Sequence, residues 1–229
     1  MDDEPLELED ILSNIDNEER CARLIGHAIH EAYTRDEDFR ATLRPLLHHL
    51  AKKSQSFDPT KYFFYNDALN HYLISAFHAS RAAELLFKYV QEYRDDRYPV
   101  LKLISVHHAF GPNAVFCLAS ARSLMTMDIV VQSFETVSAD SIERAFDKWF
   151  PRLTEARNSL AHQDERAMVV FKGKLIDGRD PFEHRQSDGQ AGTRIFGLMD
   201  KDQKQFELDV SSQNIMGLAS ALVSVFDIQ

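Results

Sequence analysis

Apolar residues return at helical spacing through roughly the first two thirds of the chain. This pattern predicts successive helices over 17–32, 38–53, 66–93, 100–109, 113–131, 141–150 and 152–166. The clearest apolar stripe lies in 66–93. Asn17 is expected to cap the first helix, and Ser138 or Asp140 the helix from 141. Gly111-Pro112 is expected to separate two helices, because proline removes a helical hydrogen bond.

The spacing of apolar residues changes after residue 166. Short apolar runs predict strands over 168–176, 193–199 and 205–210, which should form an antiparallel meander. Ser211 or Ser212 is then expected to cap a closing helix over 212–227 that covers the meander. The predicted fold class is therefore mainly α: a helical bundle with a small C-terminal antiparallel β-meander and a closing helix.

Acidic residues concentrate at the start of the chain. Residues 1–60 carry 7 basic and 14 acidic side chains, and the first ten hold six acids and no base. The distribution predicts an acidic, disordered tail over 1–16. We expect N-terminal helices over 17–60, a helical core over 61–166, and an appendage over 167–229 in which the meander and the closing helix pack on that core.

Composition narrows the class of protein. The chain has 229 residues, 44% of them hydrophobic, as is typical of a folded domain. A formal charge of −10 excludes a uniformly basic nucleic-acid coat, although a local basic site remains open. The chain has only two cysteines, and it shows neither a basic and apolar leader nor a long uncharged apolar run. These features predict a cytoplasmic protein without a membrane span.

Few residue patterns suggest a metal or a nucleotide. The sequence shows no Gly-rich phosphate loop, no paired CxxC and no His-Glu-x-x-His. His27, His30 and Glu31 share a helix face and could hold a metal, but no third ligand segment is evident. We therefore expect no metal and no cofactor. His71 and His78, seven residues apart, are expected to pack rather than to bind a ligand.

One segment gives a more specific indication of function than these histidine patterns. Residues 155–163, Glu-Ala-Arg-Asn-Ser-Leu-Ala-His-Gln, resemble the signature helix of HEPN domains. In that family an arginine is followed directly by a polar residue, often asparagine, and after four to six intervening residues by a histidine. Arg157, Asn158 and His162 match this motif. The spacing of arginine and histidine also occurs elsewhere in the chain, so Asn158 and the helical context distinguish this segment. The resemblance covers about 60–166.

Helical geometry gives these residues a common position. At about 100° per residue, Leu153, Ala156 and Leu160 fall on one apolar face. Asn158 and His162 fall on nearly the opposite face, with Arg157 between and long enough to reach them. The trio is therefore predicted to point away from its own core.

The resemblance implies a function for the trio. In HEPN enzymes two such helices face each other across a twofold axis, so the resemblance implies a homodimer with Arg157, Asn158 and His162 as catalytic residues. It implies a metal-independent endoribonuclease that acts on RNA, commonly a toxin or defence effector, and it leaves an antitoxin or operon partner open. Two alternatives stay open. The domain could be a non-catalytic HEPN-like dimerisation or adaptor module, or the three residues could be an ordinary solvated surface.

Overall fold

The structure of the chain is a computed structural model in which helices predominate. It describes residues 8–54, 59–93, 97–132, 134, 137–161, 170–171, 174–175, 193–199, 202 and 204–227. The helices are α1 (Leu8–Thr34), α2 (Glu37–Ser54), α3 (Pro59–Glu92), α4 (Arg97–Met125), α5 (Asp128–Val131), α6 (Ala139–Trp149), α7 (Leu153–Ala161) and α8 (Ser212–Val225). The predictions of a mainly α fold and of a helical bundle are confirmed.

Helix α1 begins well before the predicted cap at Asn17. Residues 8–16 are helical, so the prediction of a disordered tail is wrong for this segment, and residues 1–7 lie outside the described residues. The sequence holds the reason, because Leu8, Ile11, Leu12 and Ile15 have the i, i+3, i+4, i+7 spacing of an apolar helix face. The prediction gave weight to the acidic composition of this segment and not to its apolar spacing, which extends the helix towards the N-terminus.

Helix α4 is one continuous helix where two were predicted. Pro112 lies inside it, although an internal proline typically costs about 3 kcal/mol. Tertiary packing offsets that cost: α3 and α4 form the most extensive helix pair of the structure. A Cβ on Gly111 would lie 3.2 Å from the Ile195 side chain, so the glycine admits a close neighbour at this point. The Gly-Pro pair therefore marks a packing contact and not a chain break.

The predicted three-stranded meander is wrong. The strands are β1 (Val170–Phe171), β2 (Lys174–Leu175), β3 (Arg194–Met199) and β4 (Gln205–Asp209). They form two separate two-stranded antiparallel sheets, β1–β2 and β3–β4. The segment predicted as one strand contains both β1 and β2, which pair with Val170 opposite Leu175 and Phe171 opposite Lys174. Periodicity alone cannot separate one strand from two short strands that pair with each other.

The core lies between the helices. Helix α3 contacts α1, α2 and α4, while α8 packs against α2, α3 and α6. Within the described residues α8 thus packs mainly on helices, and it shares the main hydrophobic core with Leu198 of β3 and Leu208 of β4. Its apolar face, which includes Ile215, Leu218 and Leu222, is buried in the main hydrophobic core. The β3 strand instead packs on α7, beside the candidate site.

Candidate functional site

The polypeptide turns sharply before the helix that carries the candidate residues. Ser138 caps α6 and forms a reciprocal capping box with Ser141. Helix α6 ends at Trp149, and Pro151 separates it from α7. Arg152, the residue before α7, has a φ of 65°, a left-handed conformation that costs a non-glycine residue about 1–2 kcal/mol.

The side chain of Arg152 anchors this turn to the second sheet. Its guanidinium lies 3.9 Å from the centroid of the Phe206 ring on β4. Its Nε donates a hydrogen bond of 2.5 Å to Oε2 of Glu155 in the first turn of α7. One residue therefore connects the start of α7 to the β3–β4 sheet, and these contacts offset the backbone strain.

Helix α7 has a buried face and an exposed face. Leu153, Ala156 and Leu160 are buried, as is the polar Ser159, and the helix packs against α4 and β3. Arg157 and Asn158 are exposed on the other side. The prediction from helical geometry is thus confirmed for these two residues.

Arg157 and Asn158 are in direct contact. Nη1 of Arg157 donates a hydrogen bond of 3.2 Å to Oδ1 of Asn158. The guanidinium therefore bends towards the asparagine, as the length of the arginine side chain predicted. No carboxylate among the described residues forms an ion pair with Arg157, so its charge is not neutralised by a neighbour within that part of the chain.

His162, the third residue of the motif, lies outside the described residues. The description of α7 ends at Ala161, one position earlier. The structure therefore places Arg157 and Asn158 together and leaves the position of His162 a prediction.

Two of the three residues considered as metal ligands, His27 and Glu31, have other contacts. Nδ1 of His27 lies 2.6 Å from the hydroxyl of Tyr89, and Glu31 pairs with Arg35 at 2.7 Å. Burial, together with the charges of Glu92 and Glu31, raises the pKa of Tyr89 above its usual value. Over the residues that the structure describes, no group of His, Cys, Asp and Glu side chains has an arrangement that could hold a metal ion.

A buried charged cluster was not predicted from the sequence. Asp36 and His78 are 5% and 4% exposed, and the aromatic ring of Tyr33 lies against the imidazole at a centroid distance of 4.2 Å. Oδ2 of Asp36 lies 2.6 Å from Nε2 of His78 and 2.7 Å from Nε of Arg40. Burial by itself would raise the pKa of Asp36, but the hydrogen bonds from Arg40 and His78 outweigh it and lower the pKa below 3.8. The cluster joins α2 to α3, in keeping with the packing role expected of His78.

Comparisons with protein families, with curated proteins and with solved structures found no match to this chain. None of the helices within the described ranges is both long enough and apolar enough to cross a membrane.

Proposed function

We propose that this chain is a cytoplasmic, HEPN-like, metal-independent endoribonuclease whose catalytic residues are Arg157, Asn158 and His162. The observation that carries the proposal is the hydrogen-bonded pair of Arg157 and Asn158 on the exposed face of α7. An exposed arginine next to a neutral amide, with no described carboxylate paired to it, suits a phosphate group.

The reaction uses a nucleophile that RNA itself supplies. The 2′-hydroxyl attacks the adjacent phosphorus and gives up its proton, and the bond from phosphorus to the 5′-oxygen breaks. The departing oxygen gains a proton, which leaves a 2′,3′-cyclic phosphate on one fragment and a 5′-hydroxyl on the other. His162 serves as the proton carrier, because imidazole both accepts and donates a proton near neutral pH.

Arg157 stabilises the charge that develops on the phosphate. A guanidinium can donate two parallel hydrogen bonds to phosphate oxygens, and its effect is strongest where charge increases in the transition state. Asn158 holds the guanidinium through Oδ1 and keeps its amide nitrogen as a donor for the phosphate or for His162.

The proposal includes a homodimer. The exposed face of α7 supplies only one wall of a cleft, and the same face of a second copy supplies the opposite wall. Both copies then contribute Arg157, Asn158 and His162 to a shared RNA-binding cleft. Such an enzyme fits a toxin or defence effector that is held in check by an antitoxin or another operon partner.

RNA cleavage in the presence of EDTA tests the proposal. Arg157→Ala should lower the rate by about 10²–10³ through loss of charge stabilisation. His162→Ala should lower it by about 10²–10⁴ through loss of a proton carrier. Arg144→Ala is the matched control, because Arg144 is an exposed arginine on the neighbouring helix α6. DNA should remain intact, since it lacks the attacking hydroxyl.

Two outcomes would contradict catalysis by these residues. The first is cleavage by the His162→Ala protein at the wild-type rate. The second is a stable dimer that leaves RNA intact under all conditions, which would instead favour a non-catalytic HEPN-like dimerisation or adaptor module. Arg157→Ala should change the unfolding free energy by no more than about 0.5 kcal/mol, so a loss of rate would not reflect unfolding.

A further inference from the structure

Helix α2 carries a stripe of basic side chains on its outer face. Arg44, His48 and Lys52 are all exposed and are spaced four residues apart. Each four-residue step advances about 6 Å along the helix and turns about 40°, so the three side chains form one continuous row. Leu46 and Leu50, on the opposite face of α2, are buried in the core. The row therefore projects directly away from the protein.

The charge around this row differs from that of the protein as a whole. The formal net charge is −10, yet α2 contains no acidic residue from Phe39 to its end at Ser54. Helix α8, which packs against α2, contains no charged residue from Ser212 to Val225. The described acids at the ends of these two helices are Asp36, Glu37 and Asp38 at the start of α2, Asp209 before α8 and Asp227 after it. Glu84 of α3 also lies at the start of α8, where it accepts hydrogen bonds from Ser212. The outer face of α2 thus carries an elongated row of basic side chains on a protein that is acidic as a whole.

The row is not accounted for by internal ion pairs. Arg40, at the edge of the row, pairs with the buried Asp36, but no described acidic side chain pairs with Arg44, His48 or Lys52. The negative end of the helix dipole favours a basic residue in the last turn, which explains the presence of Lys52 only. Arg44 lies more than two turns before the end of the helix, beyond the range of that effect.

The chemistry of the surface favours one class of ligand. Protein partners bind through buried aromatic or aliphatic anchors, and membranes through inserted apolar side chains. The exposed large hydrophobic residues of the described structure are Tyr33, Phe116 and Met127, and none of them lies on α2 or α8. A row of basic side chains without an apolar anchor matches a chain of phosphates, which binds mainly through charge.

We infer that Arg44, His48 and Lys52 on α2 form a surface that binds the phosphate backbone of single-stranded RNA. The choice of RNA as the ligand rests on the proposed function, while the residues belong to a helix outside the HEPN-like segment. Helix α2 packs against α3 and α8, whereas α7 packs against α4 and β3. The surface therefore binds the strand on a helix with packing partners different from those of α7.

The experiment measures binding of a short, fluorescein-labelled 2′-O-methyl RNA by anisotropy over a series of salt concentrations. This RNA lacks the attacking hydroxyl, so cleavage cannot interfere. The double variant Arg44→Gln/Lys52→Gln is expected to bind about 25-fold more weakly near 0.1 M salt, because each lost contact changes the salt slope by about 0.7 and the affinity about 5-fold. Glutamine maintains helix propensity at both positions.

Arg23→Gln/Lys88→Gln is the matched control. It removes the same formal charge from two exposed side chains on α1 and α3, and it should bind RNA like the wild type. Equal weakening by both double variants would overturn the inference, since it would show an effect of net charge alone. Absence of RNA binding by the wild type at low salt would also overturn it. Displacement of RNA by polyglutamate at the same concentration of charge would instead identify an acidic protein as the ligand.

Cleavage of unmodified RNA separates this inference from the proposed function. Binding that depends on α2 without any cleavage would contradict the nuclease and leave the α2 surface supported. Cleavage that depends on Arg157, with RNA binding unaffected by the α2 changes, would support the nuclease and exclude the α2 surface.

Discussion

His78 and Asp36, which are 42 positions apart in the sequence, are joined by a 2.6 Å contact between Nε2 and Oδ2 in the interior of the protein. Asp36 directly precedes α2, and its backbone carbonyl also accepts a hydrogen bond from the amide of Arg40. The backbone of Asp36 therefore begins the hydrogen bonding of α2, while its carboxylate holds that point against the middle of α3. The side chains of Asp36 and His78 are almost completely buried, so neither is solvated by water. The contact between them offsets the cost of this desolvation.

We predict that Asp36→Ala is strongly destabilising. Removal of one partner from a buried pair leaves the other uncompensated and typically costs about 3–5 kcal/mol. Asp38→Ala is the control, because Asp38 is an exposed acid in the first turn of the same helix. The free energy of unfolding of Asp38→Ala should fall by no more than about 1 kcal/mol, which is the size of a favourable helix-dipole interaction. Urea unfolding followed by circular dichroism measures both, and equal losses in the two variants would contradict the cluster.

The same pair predicts a pH dependence. The pKa of Asp36 is lower in the folded protein than its ordinary 3.8, so the unfolded chain takes up the proton first as pH falls. The contribution of Asp36 is therefore complete above pH 3.8 and is lost below it, as pH passes through the folded pKa. The difference in melting temperature between wild type and Asp36→Asn should shrink as the pH falls below 3.8. A difference that grows on acidification would show that the sign is wrong.

Local signals explain which helix ends could be predicted. Ser138 and Ser211 are N-cap residues in the structure, as their position before an apolar helical pattern indicated. Helix α2 also lies within a residue of its predicted ends. These features depend on neighbours a few positions away, so the sequence displays them directly.

The features of the fold that were not predicted from the sequence depend on contacts between distant parts of the chain. The continuity of α4 through Pro112 depends on its tertiary packing, and Ile195 contacts Gly111 from a strand far along the sequence. The pairing of Asp36 with His78 likewise leaves no local pattern. For the candidate site, helical periodicity was enough to predict that Arg157 and Asn158 are exposed. It could not reveal the strained Arg152 that sets the start of their helix.

A second prediction concerns the packing of α6 against α8. A Cβ added to Gly217 would lie 2.5 Å from Cζ2 of Trp149, well inside van der Waals contact. Gly217→Ala should therefore destabilise the protein by about 1–3 kcal/mol, as overpacked cores do. Gly26→Ala is the matched control: it is an exposed glycine in α1 with no atom within 4 Å of the added carbon. It should stabilise the protein by about 0.5–1 kcal/mol through helix propensity.

Thermal unfolding of the two variants checks this prediction. Opposite shifts of the melting temperature are expected, downward for Gly217→Ala and upward for Gly26→Ala. An increase in both would mean that the indole of Trp149 moves aside without cost, which would contradict close packing of α6 on α8.

A third prediction concerns Arg152. Replacement by alanine removes the contacts with Phe206 and Glu155 but retains the left-handed backbone, whereas glycine removes the same contacts and adopts that backbone freely. Arg152→Gly should therefore be more stable than Arg152→Ala by about 1–2 kcal/mol. Urea unfolding measures the difference. Equal stabilities would indicate that the turn relaxes to an ordinary conformation once the arginine is gone.

The last prediction tests the proposed dimer through the exposed face of α7. If two copies place this face across one cleft, Asn158→Cys chains should be joined by a short bismaleimide into covalent dimers at micromolar concentration. Arg144→Cys, on the exposed face of α6, is the control and should give much less product. The native thiols contribute little, because Cys21 is buried and burial raises the pKa of the Cys117 thiol, which leaves less of the reactive thiolate. Light scattering that shows only monomer, or equal cross-linking of the two variants, would exclude a shared cleft on α7.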